Sequence, residues 1–305
     1  MNDQATTTLP YINEAQIEAV LDWGPLMGVL EHAMSDFSAG NVAQPVRQMV
    51  SVPGHDAIIA AMPAVGEAMA VKVVTLYHEN AGTEIPTHQA VILVFNKDNG
   101  SPLAVLDGRL ITEMRTAAGS AAAARKLAVT DRAVVTIMGN GVQAHSHVKA
   151  LAEVTDCAEL RLWSRNETRG KALAEEVGAT YFANAEQAVR DADIVACTTA
   201  AKEPIVKGAW LKAGAFVTAV GWNTIEGREL DDAAMANTII VESYDAARDQ
   251  AGNIRGSGCE IFAEIGEVYS GTKIVPKGST VIYDSVGMAI MDVVASKLAY
   301  DLVVK

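Results

Sequence analysis

Between residues 13 and 40 apolar side chains recur at every third or fourth position (Leu26, Val29, Leu30, Ala33, Met34, Phe37), which predicts a helix closed by Gly40. The texture then changes. VRQMVSV (46–52), DAIIAAMPAV (56–65), AVKVVTLY (70–77) and HQAVILVF (88–95) read as successive strands separated by the turn-prone stretches PGHD, GE and NAGTEIP. A further strand-like stretch, SPLAVLDG (101–108), leads into TEMRTAAGSAAAARKLA (112–128), whose alanines predict a helix. After Thr130 the rhythm becomes strand, helix, strand, helix. AVVTIMG is an apolar run of buried-strand type, QAHSHVKALAEV a helix, LRLWS a strand, and NETRGKALAEEVG a helix ended by Gly178. TYFAN, AEQAVRDA, DIVACTTA, AFVTAVGW and IIVES continue the alternation, and strands separated by helices imply a parallel sheet covered on both faces. The last segment, VGMAIMDVVASKLAYDLVV, is long and amphipathic and must pack outside that sheet.

Two modules follow: an α/β nucleotide-type domain over 120–284, and an α+β part over 1–119 to which residues 285–305 return. A chain of 305 residues suffices for two cores of this size. A net charge of −13 argues against nucleic-acid binding, since a phosphate backbone is held by surplus Lys and Arg, though a few well-placed arginines still hold a small anion. Cys157, Cys197 and Cys259 are odd in number and lack metal-ligand spacing, so no metal is expected and a reduced cytoplasmic protein is the simplest reading. The amino terminus lacks the basic-then-apolar pattern of a signal peptide, and no apolar run reaches the ~18 residues of a membrane span.

The sharpest motif is Gly139-Asn140-Gly141-Val142-Gln143-Ala144, which fits the G-x-G-x-x-G/A dinucleotide fingerprint. The first glycine permits a tight turn, the second lets a pyrophosphate approach the backbone, and the small third residue lets helix and strand pack. With a strand before it and a helix after it, the motif predicts a Rossmann-type doubly wound sheet with the phosphates at the helix N-terminus. At the end of the next strand an acidic residue would read the ribose of NAD, but the chain has Trp163-Ser164-Arg165-Asn166 and no carboxylate before Glu167. Arg165 suits a 2′-phosphate, with Ser164 and Asn166 as donors, so NADP(H) is favoured. The alternative is a solvated Arg165 and a site that accepts NAD(H). His145 and His147 follow the loop and are expected on the helix surface or in interdomain packing, outside the chemistry.

Three basic residues keep unusually apolar company: Arg47 in QPVRQMV, Lys72 in AVKVVTLY and Arg115 in TEMRTAAG. Such residues are rarely buried without a partner, so a shared anion, most simply a carboxylate, is one reading; solvent-facing positions on separate elements are the other.

Together with Gln44-Pro-Val-Arg47, Lys72-Val-Val-Thr-Leu-Tyr77, His88-Gln89, Met114-Arg-Thr-Ala-Ala118, the glycine loop, Arg228-Glu-Leu-Asp231, Glu260 to Glu267 and Ser285-Val-Gly-Met288, these residues occur in the order seen in the ornithine cyclodeaminase/mu-crystallin family. The chain resembles it over about residues 10–302, and most closely its mu-crystallin, ketimine reductase branch. The resemblance implies a homodimer in which the N-terminal sheet and returning C-terminal helix form the substrate and subunit domain, beside a Rossmann NAD(P) domain. It implies that Arg47, Lys72 and Arg115 hold a substrate carboxylate and that Thr116 reaches cofactor or substrate. Thr198, Thr199, Val220, Ser285 and Gly287 would lie on the cofactor, near its nicotinamide. One position departs: where cyclodeaminases carry an aspartate two residues after the Val-Gly of a strand, Val220-Gly221-Trp222-Asn223 has an amide, which cannot take up a proton as a carboxylate does. Ornithine cyclisation is therefore not expected, and Trp222 covers the nicotinamide, limits substrate size or simply packs.

The expected activity is NAD(P)H-dependent reduction of α-imino acids, cyclic ketimines such as piperideine- or pyrroline-2-carboxylate, with Lys72 or an ordered water as proton donor. The rivals are an alanine or N-alkyl amino-acid dehydrogenase and, from another class, a ligand-binding crystallin-like protein without turnover.

Overall fold

The computed structural model describes residues 8–221 and 227–304. The chain begins with β1 (Tyr11–Ile12), α1 (Glu14–Glu18) and α2 (Trp23–Ser38). There follow β2 (Gln48–Ser51), β3 (Ala57–Val65), β4 (Met69–Tyr77), β5 (His88–Phe95), β6 (Pro102–Asp107) and the long α3 (Gly108–Leu127). The alternating half contains β7 (Ala133–Met138), α4 (Val142–Ala152), β8 (Cys157–Trp163), α5 (Glu167–Val177), β9 (Thr180–Tyr181), α6 (Ala185–Val189), β10 (Ile194–Cys197) and β11 (Phe216–Ala219). It continues through α7 (Asp232–Met235), β12 (Thr238–Val241), α8 (Tyr244–Gln250), α9 (Gly252–Ser257), β13 (Ala263–Glu264), α10 (Ile265–Ser270) and β14 (Val281–Asp284), and α11 (Ala289–Val304) closes the chain.

The single helix expected over 13–40 is two. Asn13 caps the first by accepting from the Gln16 amide, and Pro25, with no amide hydrogen to give, sits in the first turn of the second. Gly40, at φ +80°, ends the segment as expected.

Two compact units form. The first takes residues up to Asp22, Val42–Thr112 and those from Ala289 on; the second takes Trp23–Asn41 and Glu113–Met288. These bounds differ from the expected 1–119 with 285–305 and 120–284, chiefly because α2 goes with the second unit. Its partner there is α10, where Gly266 comes so close to the Met34 carbonyl that a Cβ would clash, and Ser38 Oγ donates to Glu264 at 2.7 Å.

The first unit is a six-stranded sheet in the order β1-β6-β5-β4-β3-β2, antiparallel except for β1 beside β6. Alternation sends Ala60, Met62, Ala64, Val74, Ile92, Val94 and Leu106 to the face on which α11 packs. Each fully buried Ile or Leu there contributes roughly 1.5–3 kcal/mol. Lys72 points to that same face, in register with Met62 on one side and Ile92 on the other. The opposite face carries Ile59, Val65 and Val91 exposed.

The second unit is an eight-stranded, wholly parallel sheet in the order β13-β12-β14-β11-β10-β7-β8-β9. From β7 the chain moves outward through β8 and β9, then returns to the other side of β7 as β10. This reversal between β7 and β10 is the place where open α/β sheets bind ligands, outside the strands' carboxyl ends. The parallel sheet and its glycine loop agree with the expected fold class. Alanines 117, 118 and 121–124 of α3 are fully buried, and their small side chains let that helix lie close within the unit.

Candidate functional site

Met138 and Cys197 end neighbouring strands in register, and the chain beyond each forms the edge of the site. Gly139 stands at φ +139°, and a Cβ there would clash with Thr198 Oγ1 and lie 3.0 Å from the Thr198 carbonyl oxygen. Only glycine fits this close approach. Thr198 is fixed in turn, its amide and hydroxyl both donating to the Met138 carbonyl at 2.9 and 3.0 Å. Gly141 caps α4 in extended backbone with nothing within 4 Å of its would-be Cβ, and Ala144 is buried. A tight first glycine, an open second one, a small third residue and the N-terminus of an 11-residue helix together fit a pyrophosphate.

The turn after β8 is tied to this loop. Asn140 Nδ2 donates to Ser164 Oγ at 3.2 Å and to the Asn166 carbonyl at 3.3 Å, while Ser164 Oγ donates to that carbonyl at 2.8 Å. Asn166 caps α5 by accepting from the Arg169 amide at 3.0 Å. Ser164 and Asn166 thus build the turn itself, and Arg165 is exposed at its tip. Sequence reasoning missed Arg169, which shares a groove with Asn140, Gly141 and Val142. Its signal was present: a second cation four residues after Arg165, one helical turn on.

The histidines separate. His145 is half-exposed and pairs with Glu176 at 3.0 Å. His147 corrects the expectation of helix surface or interdomain packing, because it is wholly buried inside the second unit. Its Nδ1 lies 2.7 Å from the Gln143 carbonyl and its Nε2 2.9 Å from Ser120 Oγ, which itself is 2.9 Å from Thr218 Oγ1. A carbonyl only accepts, so Nδ1 carries the proton, Nε2 accepts from Ser120, and Thr218 donates to Ser120. Burial pushes the imidazole down to about 4, which keeps it neutral.

The basic residues are distributed over both units. Arg47 is half-buried just before β2, and Lys72 lies in the same unit with only 2 % of its side chain exposed. The Lys72 ammonium is 2.6 Å from Asp292, in the first turn of α11, and 3.3 Å from Thr112 Oγ1. Asp292 was not anticipated, although a lone acid in an apolar helical run was the available sign. Arg115 and Thr116 belong to the second unit, Arg115 being buried. A Cβ on Gly287, at φ +78°, would stand 2.8 Å from the Arg115 guanidinium. The loop bearing Gly287 is pinned by buried Glu242, which accepts from Ser285 Oγ at 2.8 Å, the Val286 amide at 3.1 Å and the Gly287 amide at 2.7 Å. Val220, with its amide on the Cys197 carbonyl, and Thr199 stand at the same strand ends as Thr198. Trp222 and Asn223 lie outside the described residues.

The sequence model of the ornithine cyclodeaminase/mu-crystallin family matches residues 10–305. The ketimine reductase mu-crystallin of Mus musculus is 41 % identical over 285 residues, covering 90 % of this chain and 91 % of its own. Among solved structures, Thermococcus litoralis Δ1-pyrroline-2-carboxylate reductase in complex with NADH and L-proline superposes with a TM-score of 0.91 at 30 % identity, over 97 % of this chain and 98 % of that one. An archaeal alanine dehydrogenase dimer with bound NAD gives a TM-score of 0.89 at 25 % identity, over 97 % and 96 % of the two chains.

Proposed function

The chain belongs to the ornithine cyclodeaminase/mu-crystallin family, and on that premise we propose that it is an NAD(P)H-dependent reductase of cyclic α-imino acids, piperideine-2-carboxylate or pyrroline-2-carboxylate. The observation that carries this reading is the likeness, over nine-tenths of both chains, to a ketimine reductase, in a chain whose glycine loop stands at the sheet's switch point. A nicotinamide held there would supply the hydride that reduces the imine carbon, and the nitrogen, carrying one added proton, would end as the amine. A protonated imine is already electrophilic, so the protein's task is chiefly alignment. Arg47, Lys72 and Arg115 hold the substrate carboxylate. Lys72 is also the candidate proton donor, its ammonium steadied by Asp292 and Thr112. Thr116, Thr198, Thr199, Val220, Ser285 and Gly287 border the cofactor.

The family likeness to an alanine dehydrogenase keeps open-chain substrates in view. Rates with a cyclic imine against pyruvate plus ammonia or methylamine decide between them. Preference for the cyclic imine supports the reductase, and preference for the open-chain pair makes the protein a dehydrogenase. Tight NADPH binding without turnover on any imine would instead make it a crystallin-like binding protein.

NADP(H) is the preferred cofactor. Arg165 at the tip of the β8–α5 turn, with Arg169 one turn further, supplies the positive charge that a 2′-phosphate needs, and no carboxylate ends β8 to repel it. Arg165→Ala is expected to weaken NADPH by roughly ten- to a hundredfold, the worth of a charge-assisted bond, with little change for NADH. Equal losses in fluorescence titrations would take Arg165 out of 2′-phosphate recognition.

The working form is a homodimer. Ile59, Val65 and Val91 expose an apolar patch on the sheet face opposite α11, extended by Val73, which is in register with Val91. A second copy presenting the same face is the natural cover. Val91→Arg is expected to halve the mass measured by light scattering; a dimer that persists would place the interface elsewhere. Among the described residues no helix is long and apolar enough to cross a membrane. The three cysteines are free, Cys157 exposed, which suits a reducing cytoplasm.

A further inference from the structure

A buried carboxylate with no part in the chemistry above lies across the carboxyl ends of β10 and β11. Glu229, just before α7, has no exposed surface. One of its oxygens, Oε1, accepts from the Thr199 amide at 2.6 Å and the Thr199 hydroxyl at 2.7 Å, and Oε2 accepts from the Gly221 amide at 3.0 Å. Gly221 is packed so closely that a Cβ there would run into Thr199 backbone and stand 2.6 Å from Glu229 Oε1. Three donors from two strand ends thus converge on one side chain. Its backbone is held as firmly: Asn253 Oδ1 accepts from the amides of Glu229 and Leu230 at 2.9 and 3.1 Å, and Asn253 Nδ2 donates to Asp284 at 2.8 Å, at the end of β14. Glu229 therefore ties together the loops after β10 and β11 and rests on the end of β14, the strand beside β11.

A carboxyl placed here is costly unless every lone pair has work. Burial pushes Glu229 up to about 7 and Asp284 up to about 7, while the Thr199 and Gly221 donors pull Glu229 back. A packing role alone would be filled at lower cost by an apolar side chain. The loops it joins carry Thr198, Thr199 and Val220, on the far side of the switch point from the β8–α5 turn.

We propose that Glu229 is a positioning residue for the nicotinamide half of the cofactor: by holding Thr199 and Gly221 it fixes the backbone on which that half rests, while the glycine loop holds the pyrophosphate independently. This inference rests on the reductase reading above. It separates two parts of one ligand, and that separation is its test.

Glu229→Gln keeps one accepting oxygen but turns an amide group toward the Gly221 N–H. It is expected to weaken NADH by about ten- to a hundredfold, since the Gly221 N–H loses its acceptor and meets a donor instead. ADP-ribose, which lacks only the nicotinamide, should keep its affinity within about twofold because its contacts lie on other loops. Thr199→Val removes one donor without disturbing the carboxylate, and carries the same contrast with a loss of about fivefold should the first variant fail to fold. Calorimetric titration of both ligands reads the result. Equal loss of NADH and ADP-ribose, or unchanged NADH affinity, with wild-type protein that still reduces the imine, overturns the proposal alone. Wild-type protein that binds neither ligand, and does not bind NADPH, overturns the proposal together with the reductase reading.

Discussion

Lys72→Ala is expected to lower kcat/KM for a cyclic imino acid by roughly a thousandfold or more, the combined worth of a lost charge contact and lost alignment, while NADPH affinity changes little. The cofactor loops all belong to the second unit, and Lys72 belongs to the first. The substitution also has a stability cost. The ammonium is nearly wholly buried, 2.6 Å from an equally buried Asp292, and breaking such a pair from one side typically costs about 3–5 kcal/mol. Loss of activity in this variant alone is therefore ambiguous between chemistry and folding. Lys72→Met combined with Asp292→Leu resolves it, since removing both charges from an apolar site is often neutral for stability. The double variant should regain the wild-type melting temperature and remain inactive. A double variant that recovers turnover would exclude Lys72 from the substrate site.

The second large effect concerns the glycine loop, where two substitutions two residues apart should behave differently. Gly139→Ala places a methyl group against Thr198 on a backbone at φ +139°, a conformation that costs an L residue of order 1–3 kcal/mol before the clash is counted. Both the melting temperature and dinucleotide affinity should fall. Gly141→Ala meets open space on ordinary extended backbone, so the melting temperature should hold. Its methyl group nonetheless intrudes where the second glycine lets a pyrophosphate approach, and affinity should fall by about a hundredfold, or ~3 kcal/mol. Fluorescence titration beside thermal melts checks both. Wild-type affinity in Gly141→Ala would mean that this loop is a turn with no ligand.

What could be read in the chain was local. Periodicity placed most strands and helices because it reports which face of a segment is apolar, and the glycine loop was legible because turn, cradle and helix start are contiguous residues. The partners brought by chain return were not legible. Asp292 meets Lys72 across 220 residues of sequence, from a helix read only as amphipathic. β14 inserts between β11 and β12, although β12 follows β11 in the chain, because neighbours in a sheet are chosen by packing rather than by order. α2 was placed with the N-terminal part because it lies there in sequence, whereas its apolar stripe is spent on α10 of the second unit. His147, a polar side chain in the second turn of a helix, reads as surface or interdomain packing, because the Ser120 hydroxyl that satisfies it comes from another helix. Glu229 was visible only as a letter in Arg228-Glu-Leu-Asp231, its three donors lying 8 to 30 residues away.

Hydride is expected to pass from the cofactor to the carbon of a cyclic imine. NADPH deuterated at the transferring position of nicotinamide C4, incubated with pyrroline-2-carboxylate and the wild-type protein, tests it by the mass and NMR spectrum of the product. The expected product is proline carrying one deuterium at C2, formed faster with NADPH than with NADH. NADPH that binds and yields no deuterated proline, with no transfer to piperideine-2-carboxylate either, would contradict it.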